Sequence, residues 1–342
     1  MDGISLGLLL VLLLVLAAEF VNGATDAPNA IATVVSTRVL SPRNAVVMAT
    51  VLNAVGVMSG TAVAKTIGEG FIRADVVNLT TIGAAMVAIV VWSSLAWRYG
   101  LPTSETHALV ASLTGAGFAT GGTQALLWSG WKKVLIGLGL STFLGFFGGL
   151  LLIVAIYWIF RRSSVGRVQG LFGRLQILSA GFMAFTHGSN DGQKFMGVFT
   201  LALVIAGTIS MPGEFRVPWW VIVVCSLTMA AGTSAGGWRI IRTMGIRMVK
   251  LEPYQGFAAE TAAASTIELA SRLGIPVSTT HTISTAIVGV GAARGVWGVR
   301  WGVVREVVTA WILTFPVCAF IGWLVTTVVQ WGVRLLQAPA AP

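Results

Sequence analysis

Long apolar runs dominate this sequence and limit its fold more than any other feature. Seven of them are close to the length of about 20 residues that an α-helix needs to cross a bilayer. Only 10% of the 342 residues are charged, whereas globular proteins contain about 25%. Four further stretches are apolar but rich in Gly, Ser and Thr, as in helices that pack closely or line a cavity. We therefore predict an all-α polytopic membrane protein with about ten to twelve membrane segments, over residues 4–21, 44–64, 80–97, 102–121, 134–160, 176–190, 196–209, 217–237, 254–273, 276–293 and 307–329.

The net charge of +10 has a membrane explanation. Arg161, Arg162, Arg167 and Arg174 share one connection between apolar runs, and residues 239–250 carry four more basic side chains. Short basic loops orient a membrane protein with their positive side in the cytoplasm, so the charge does not indicate a nucleic-acid partner. The apolar N-terminus lacks a basic region in front of it and is predicted to be the first membrane helix rather than a signal peptide.

The chain contains an internal duplication, which three pairs of motifs reveal in the same order. The aligned pairs are residues 23–29 (GATDAPN) with 188–194 (GSNDGQK), 65–68 (KTIG) with 242–245 (RTMG), and 100–107 (GLPTSETH) with 274–281 (GIPVSTTH). The predicted organisation is a first membrane repeat over residues 1–160, a short basic cytoplasmic linker over 161–174, and a second membrane repeat over 175–342.

Loop charges predict that the two repeats have inverted topology. The loop after the first motif carries a net charge of +2, and its counterpart near residues 212–218 carries 0. The next pair reverses this pattern, with 0 over residues 65–75 against +3 over residues 239–252. Corresponding loops of an inverted pair lie on opposite sides of the membrane. On this interpretation the N-terminus faces outward.

Asp26 and Asp191 occupy equivalent positions in the two repeats, each in a Gly-rich polar break of a membrane segment. An ionised carboxylate there is costly and usually faces a cavity, a partner or an ion. A single aspartate could simply cap a helix. Two equivalent ones favour cation binding or proton exchange near the midplane, where inverted repeats place their coupling sites. If a metal ion binds to Asp26 and Asp191, the expected ion is Na+.

The second motif pair combines proline with hydroxyl side chains, over residues 102–107 and 276–281. Proline suits the first turn of a helix, so each motif is predicted to begin the second half of a re-entrant or broken helix at its proline. Two such N-terminal tips, meeting at a midplane site, are expected to surround an oxyanion with N–H and O–H donors. A Ser/Thr-rich packing face is the plainer alternative. His107 and His281, which close the motifs, are interpreted as hydrogen-bonding brackets.

The repeats differ at two positions of the aspartate motifs. Lys194 stands where the first repeat has Asn29, and His187 stands where it has Asn22. A lysine there could neutralise Asp191, attract an anion or replace a bound metal ion. The sequence has no phosphate-binding P-loop and no His/Cys spacing typical of zinc, which argues against an ATP-driven motor.

The two aspartate motifs and the two proline motifs resemble the signatures of the inorganic phosphate transporter family, also called the phosphate permease or PiT family. That family carries a Gly-Ala-Asn-Asp-x-x-Asn motif and a Pro-x-Ser-x-Thr-His motif in each half, and the resemblance covers almost the whole chain. Membership implies an inverted-repeat fold that works as a homodimer. Carried over by position, the implied phosphate site is Ser104, Glu105, Thr106, Ser278, Thr279 and Thr280. The implied coupling-cation site is Asp26, Asn29, Asn190 and Asp191, with Lys194 tuning its charge.

Three positions depart from the family pattern, and all of them bear on ion coupling. Thr25 replaces the usual Asn of the first aspartate motif. Glu105 puts a carboxylate at one tip, where Thr279 sits in the other half. Lys194 replaces the last Asn of the second aspartate motif, as in bacterial members that resemble proton-coupled metal-phosphate carriers.

The resemblance predicts a multi-pass symporter that carries inorganic phosphate across the plasma membrane, driven by a Na+ or H+ gradient, and not an enzyme. No cofactor other than bound Na+ is expected, and the partners are phosphate, the coupling cation and the lipid bilayer. A sulfate or other oxyanion permease and a passive anion channel are alternatives on the same fold. An intramembrane aspartyl protease could use two aspartates, but it leaves the paired Ser/Thr motifs unexplained.

Overall fold

The fold is described from a computed structural model, which covers residues 5–210 and 213–337. Twelve α-helices run through these residues, joined by turns and by short 3-10 or π-helical segments. They are α1 (Leu6–Ser36), α2 (Pro42–Val57), α3 (Ala62–Gly70), α4 (Leu79–Tyr99), α5 (Glu105–Gly121), α6 (Trp128–Phe160), α7 (Val165–Ile205), α8 (Trp219–Ala235), α9 (Trp238–Arg242, continued by a π-helix over Thr243–Met248), α10 (Pro253–Arg272), α11 (Thr279–Ala292) and α12 (Trp301–Gln337).

The twelve helices form two matching sets of six, α1–α6 and α7–α12. Thr66, in the 65–68 motif of the first repeat, donates a hydrogen bond from its hydroxyl to the Gly274 carbonyl at 2.7 Å. Its counterpart Thr243 makes the equivalent bond to the Gly100 carbonyl at 2.8 Å. Gly100 and Gly274 both have positive φ, +69° and +66° respectively, a conformation that costs other residues about 1–2 kcal/mol. They turn the chain back toward the centre of the molecule, where α5 and α11 begin.

Each set of six helices packs mainly against the other set rather than against itself. Helix α5 lies along α12, and α11 lies along α6 in the equivalent arrangement. Helix α2 lies along α7, and α8 lies along α1 in the same way. The two repeats therefore interlock, and neither presents a separate core that could enclose a site by itself.

Equivalent helices of the two repeats run antiparallel, which agrees with the predicted inverted topology. Thr37, just after the end of α1, donates to Gln176 near the start of α7 at 2.9 Å, whereas Asp26 and Asp191 meet at the middle of both helices. In the same sense, Val46 near the start of α2 lies against Gly236 at the end of α8. A pseudo-two-fold axis that relates antiparallel helices is perpendicular to them.

Four helices are long and apolar enough to span a membrane alone: α1, α4, α6 and α12. Two bent pairs pass the same test together, α2 with α3 at 67° and α8 with the α9 segment at 60°. The described residues thus provide four to six spans by length and hydropathy, fewer than the ten to twelve segments predicted. The other predicted segments are also helical, but α5 and α11 are short, and α7 and α10 are polar because they carry the motifs.

The connection between the repeats is shorter than the predicted linker 161–174. Residues 161–164 join α6 to α7, and the chain is already helical from Val165. Helix α7 has 41 residues, or roughly 60 Å at 1.5 Å per residue, which exceeds the thickness of a bilayer. Arg167 and Arg174 therefore lie on a helical extension, and the cytoplasmic location of this segment stays a prediction.

The contact of α5 with α12, and of α11 with α6, depends on two equivalent glycines. A Cβ atom on Gly115 would lie 1.9 Å from the Ala319 carbonyl oxygen, and one on Gly289 would lie 2.0 Å from the Phe146 carbonyl oxygen. We expect Gly115→Ala and Gly289→Ala each to lower the Tm in detergent by several degrees, since overpacking costs about 1–3 kcal/mol. Gly139→Ala on α6, where a Cβ meets open space, is the matched control, and an equal Tm for all three variants would contradict this packing.

Candidate functional site

Helices α5 and α11 begin at the centre of the molecule, each capped by a serine. The Ser104 Oγ accepts a hydrogen bond from the His107 backbone N–H at 3.3 Å, and the Ser278 Oγ accepts one from the His281 N–H at 3.2 Å. The helices therefore start at the residue after each serine, Glu105 and Thr279. The predicted start at the prolines, Pro102 and Pro276, was wrong. Serine satisfies a free N–H group of the first turn, which proline cannot do.

The two helix tips touch each other. The Thr106 hydroxyl of one tip donates to the Val277 carbonyl of the other at 2.9 Å, and the rings of His107 and His281 meet edge to face with centroids 4.5 Å apart. His107 also stacks on Phe315 and His281 on Trp311 of α12. The histidines were predicted to be hydrogen-bonding brackets; in the structure they hold the tips through ring packing.

Asp26 and Asp191 lie side by side where α1 crosses α7, and both are buried, with 3% and 1% of their surface exposed. Together with His187, they offer three ligand atoms that all lie within 4.8 Å of one another. The His187 Nε2 is 3.4 Å from the Asp191 carboxylate, and its Nδ1 is 3.0 Å from the Asn53 side-chain oxygen. Carboxylate oxygens suit hard cations such as Na+ or Mg2+, so the two aspartates could hold a cation beside the α11 tip.

The Lys194 ammonium group is fully buried and uses all three of its donors. It contacts the Asp191 carboxylate directly, the Thr106 hydroxyl at 2.6 Å and the Val277 carbonyl at 2.9 Å. Three oxygen atoms around one positive charge is the environment of a bound cation. The predicted charge contact between Lys194 and Asp191 is therefore present.

The first repeat has an amide at the same position, and it connects the cation and anion residues. The Asn29 side chain donates to the hydroxyls of Thr280 at 3.0 Å and Thr279 at 3.3 Å. In turn, Thr280 donates to Asp26 at 3.4 Å and Thr279 to Asp191 at 2.9 Å. The predicted phosphate and cation ligands thus share one continuous hydrogen-bond network.

Four of the predicted residues make their side-chain contacts outside this network. The Glu105 carboxylate accepts hydrogen bonds from Thr25 at 3.2 Å and from Ser93 at 2.9 Å, on α1 and α4. The Asn190 amide donates to Ser271 of α10 at 2.9 Å. Ser104 and Ser278 use their side chains as helix caps. These contacts leave the roles assigned to Glu105, Asn190 and the two serines as predictions.

Sequence reasoning missed three groups that complete the site. Asn53 positions His187, Ser93 holds Glu105, and the Val277 carbonyl binds Lys194. Asn53 is an amide inside the apolar run 44–64, which is a detectable signal, whereas Ser93 is one of two adjacent serines in the run 80–97. A backbone carbonyl leaves no signal in a sequence.

A family model described as the phosphate transporter family matches this chain twice, over residues 22–169 and 161–322. The chain belongs to the phosphate transporter family. A Rhizobium meliloti protein named "Probable low-affinity inorganic phosphate transporter" is 44% identical over 307 residues, which cover 90% of this chain and 91% of that protein. A Bacillus subtilis protein of the same name is 39% identical over 324 residues and covers 94% and 97%.

A solved structure titled "The sodium-dependent phosphate transporter" has the same fold, with a TM-score of 0.85 at 24% sequence identity over 96% of this chain and all of that one. The two family matches fall on the two halves, so the predicted duplication is confirmed. The relatives described above are named as transporters, as expected for a membrane protein of the phosphate transporter family that is not an enzyme.

Proposed function

We propose that this protein is a symporter that carries inorganic phosphate together with a cation, Na+ or H+, across the plasma membrane. The proposal rests on one observation: the hydroxyls of Thr279 and Thr280, at the α11 tip predicted to bind phosphate, donate directly to the two buried aspartates. An anion at the tips would take over hydrogen bonds that the aspartates now accept, and cations would compensate the aspartates for the loss. The family resemblance adds a homodimer to the proposal.

Phosphate binding is supported by the donors that converge between α5 and α11. The hydroxyls of Thr106, Thr279 and Thr280 lie there beside the Lys194 ammonium. The helix N-termini add backbone N–H groups and the positive ends of two dipoles. At present these donors bond to the aspartates and to a backbone carbonyl. An entering phosphate can accept the same hydrogen bonds, while cations neutralise the carboxylates that lose them.

Two ionised aspartates beside an anion create a repulsion that cations relieve. With ligand atoms of Asp26 and Asp191 within 4.8 Å of each other, two unit charges at an effective dielectric constant of 20 repel by roughly 3 kcal/mol. A phosphate beside both carboxylates increases this repulsion. The Lys194 ammonium offsets one of the two carboxylate charges. Phosphate therefore loads favourably only when a further cation loads with it, and this is the physical basis of coupling.

Access to the site differs between the two repeats, as alternating access requires. At the bend between α2 and α3, a polar cavity of about 370 Å³ reaches Gly60 and Ser271, and Ser271 accepts the hydrogen bond of Asn190. The equivalent bend at Gly237 packs tightly against Pro28 and the Ala24 carbonyl. The cavity therefore reaches Ser271, the hydrogen-bond partner of the residue that precedes Asp191.

Uptake of radiolabelled phosphate into proteoliposomes, with Na+ and pH gradients varied independently, tests the proposal. We expect uptake to rise with at least one inward cation gradient and to vanish in Asp26→Asn and Asp191→Asn, because each removes a buried cation ligand. Asp75→Asn, the same change in an exposed loop residue, is the control and should retain uptake. Uptake that ignores both gradients indicates a passive channel, and equal competition by sulfate indicates a general oxyanion permease.

The Lys194 ammonium predicts which repeat needs a free cation. It occupies a set of oxygen ligands in the second repeat, whereas the first repeat has the neutral Asn29 at that position. We expect Lys194→Asn to make phosphate uptake more dependent on Na+, because the vacated oxygens then need a mobile cation. Lys194→Arg, which keeps the charge, is the control. An unchanged Na+ response in Lys194→Asn would show that the lysine does not replace a cation.

A further inference from the structure

A stripe of buried polar side chains runs along one face of α1 well beyond the site described above. Glu19, Asn22, Asp26, Asn29 and Thr33 recur every three or four residues, the spacing of one helix face. None of them exposes more than 3% of its surface. At 1.5 Å per residue the stripe extends for roughly 21 Å, and its central part, Asp26 and Asn29, contacts the α11 tip.

The N-terminal end of this stripe is a carboxylate and an amide without partners. Neither oxygen of Glu19 and neither polar atom of the Asn22 side chain has a hydrogen-bond partner among the described residues. Both residues have 0% exposure. Burying an ionised carboxylate in this way is very unfavourable unless a bound proton or another positive charge neutralises it. The charged groups that act on Glu19 from α7 are Asp191 and Lys194, and Lys194 is already bound by three oxygens.

The same arrangement of an acid and an amide three residues apart occurs twice on this face. Asp26 and Asn29 form one pair at the proposed coupling site, and Glu19 and Asn22 form the other, one heptad earlier. Side chains three residues apart are neighbours on a helix surface. In α7 the corresponding pair is Asp191 and Lys194, where the lysine provides the positive charge itself.

We propose that Glu19 and Asn22 form a second binding site for a monovalent metal cation of the Na+ type, roughly 10 Å along α1 from Asp26. The Glu19 carboxylate supplies the compensating negative charge, and the Asn22 side-chain carbonyl supplies a neutral oxygen, both hard ligands. The inference rests on the proposed cation coupling and extends it. A cation at this site lies on the N-terminal side of Asp26 along α1, whereas Thr33 lies on the C-terminal side.

A second buried glutamate is stabilised by hydrogen-bond donors. Glu260 of α10 is also fully buried, but it accepts hydrogen bonds from Thr33, Ser179 and, at 3.1 Å, Gln176. Three donors stabilise this carboxylate from neighbouring helices. Glu19 has no such donors within residues 5–210 and 213–337, so Glu260 serves as a matched control of the same residue type.

The test is equilibrium binding of radioactive Na+ to the purified full-length protein in detergent, without phosphate and without a gradient. We expect Glu19→Gln to bind one Na+ fewer per chain than the unsubstituted protein, whereas Glu260→Gln binds the same number. Asn22→Leu keeps the carboxylate but removes the amide oxygen, so it should weaken that site at least tenfold. Stabilisation of the Tm by Na+ should be smaller in Glu19→Gln, since a ligand stabilises only the state that binds it.

An unchanged Na+ stoichiometry in Glu19→Gln would overturn the proposal. So would an infrared band of a protonated carboxyl group that disappears in Glu19→Gln, because it would mean that a proton, and not a metal ion, neutralises this side chain. If phosphate uptake turned out to be independent of all cation gradients, the proposed symport would fail. The loss of one bound Na+ in Glu19→Gln would still establish the site, so the two failures can be told apart.

Discussion

Two carboxylates buried side by side inside a membrane protein are the constraint on which the rest of this structure depends. Asp26 and Asp191 meet because α1 and α7 are equivalent helices that cross antiparallel at these residues. Neither water nor lipid can stabilise them there. Positive charge or hydrogen-bond donors must therefore come from the surrounding helices, and the Lys194 ammonium and the hydroxyls of Thr279 and Thr280 meet this requirement.

The delivery of those donors explains the interlocked packing of the two repeats. The α5 and α11 tips can reach the centre only because each helix lies against a long apolar helix of the other repeat, at glycines such as Gly115 and Gly289. The turns at Gly100 and Gly274 then aim both helix N-termini at the aspartates. A duplicated set of six helices thus produces one shared hydrogen-bond network, which joins the residues proposed to bind the anion and the cations.

Much of this site could be predicted from the sequence, because the duplication identifies it. Asp26 and Asp191 recur at equivalent positions, as do the two Ser/Thr tips, and the structure brings both pairs together at the centre. The all-helical membrane fold followed from the apolar runs. The number of membrane segments stays a prediction, because length and hydropathy identify four to six spans among the described residues and do not single out polar helices such as α7.

The partners of individual side chains could not be predicted, because they depend on which helices become neighbours. Glu105 was assigned to the phosphate site, but its oxygens accept hydrogen bonds from the hydroxyls of Thr25 and Ser93. The start of each tip at Glu105 and Thr279 reflects a serine cap that competes with the proline signal. Glu19 and Asn22 became notable only once the structure left them without partners.

The central claim is that phosphate and cations bind at one site and strengthen each other's binding. Equilibrium binding of radiolabelled phosphate to the purified protein, measured across Na+ concentrations at fixed pH and across pH at fixed Na+, tests it directly. Linkage predicts that the phosphate Kd falls by a factor of about 5–150 as the coupling cation saturates, with the reciprocal effect on cation affinity. A phosphate Kd that stays constant across both series would contradict the account.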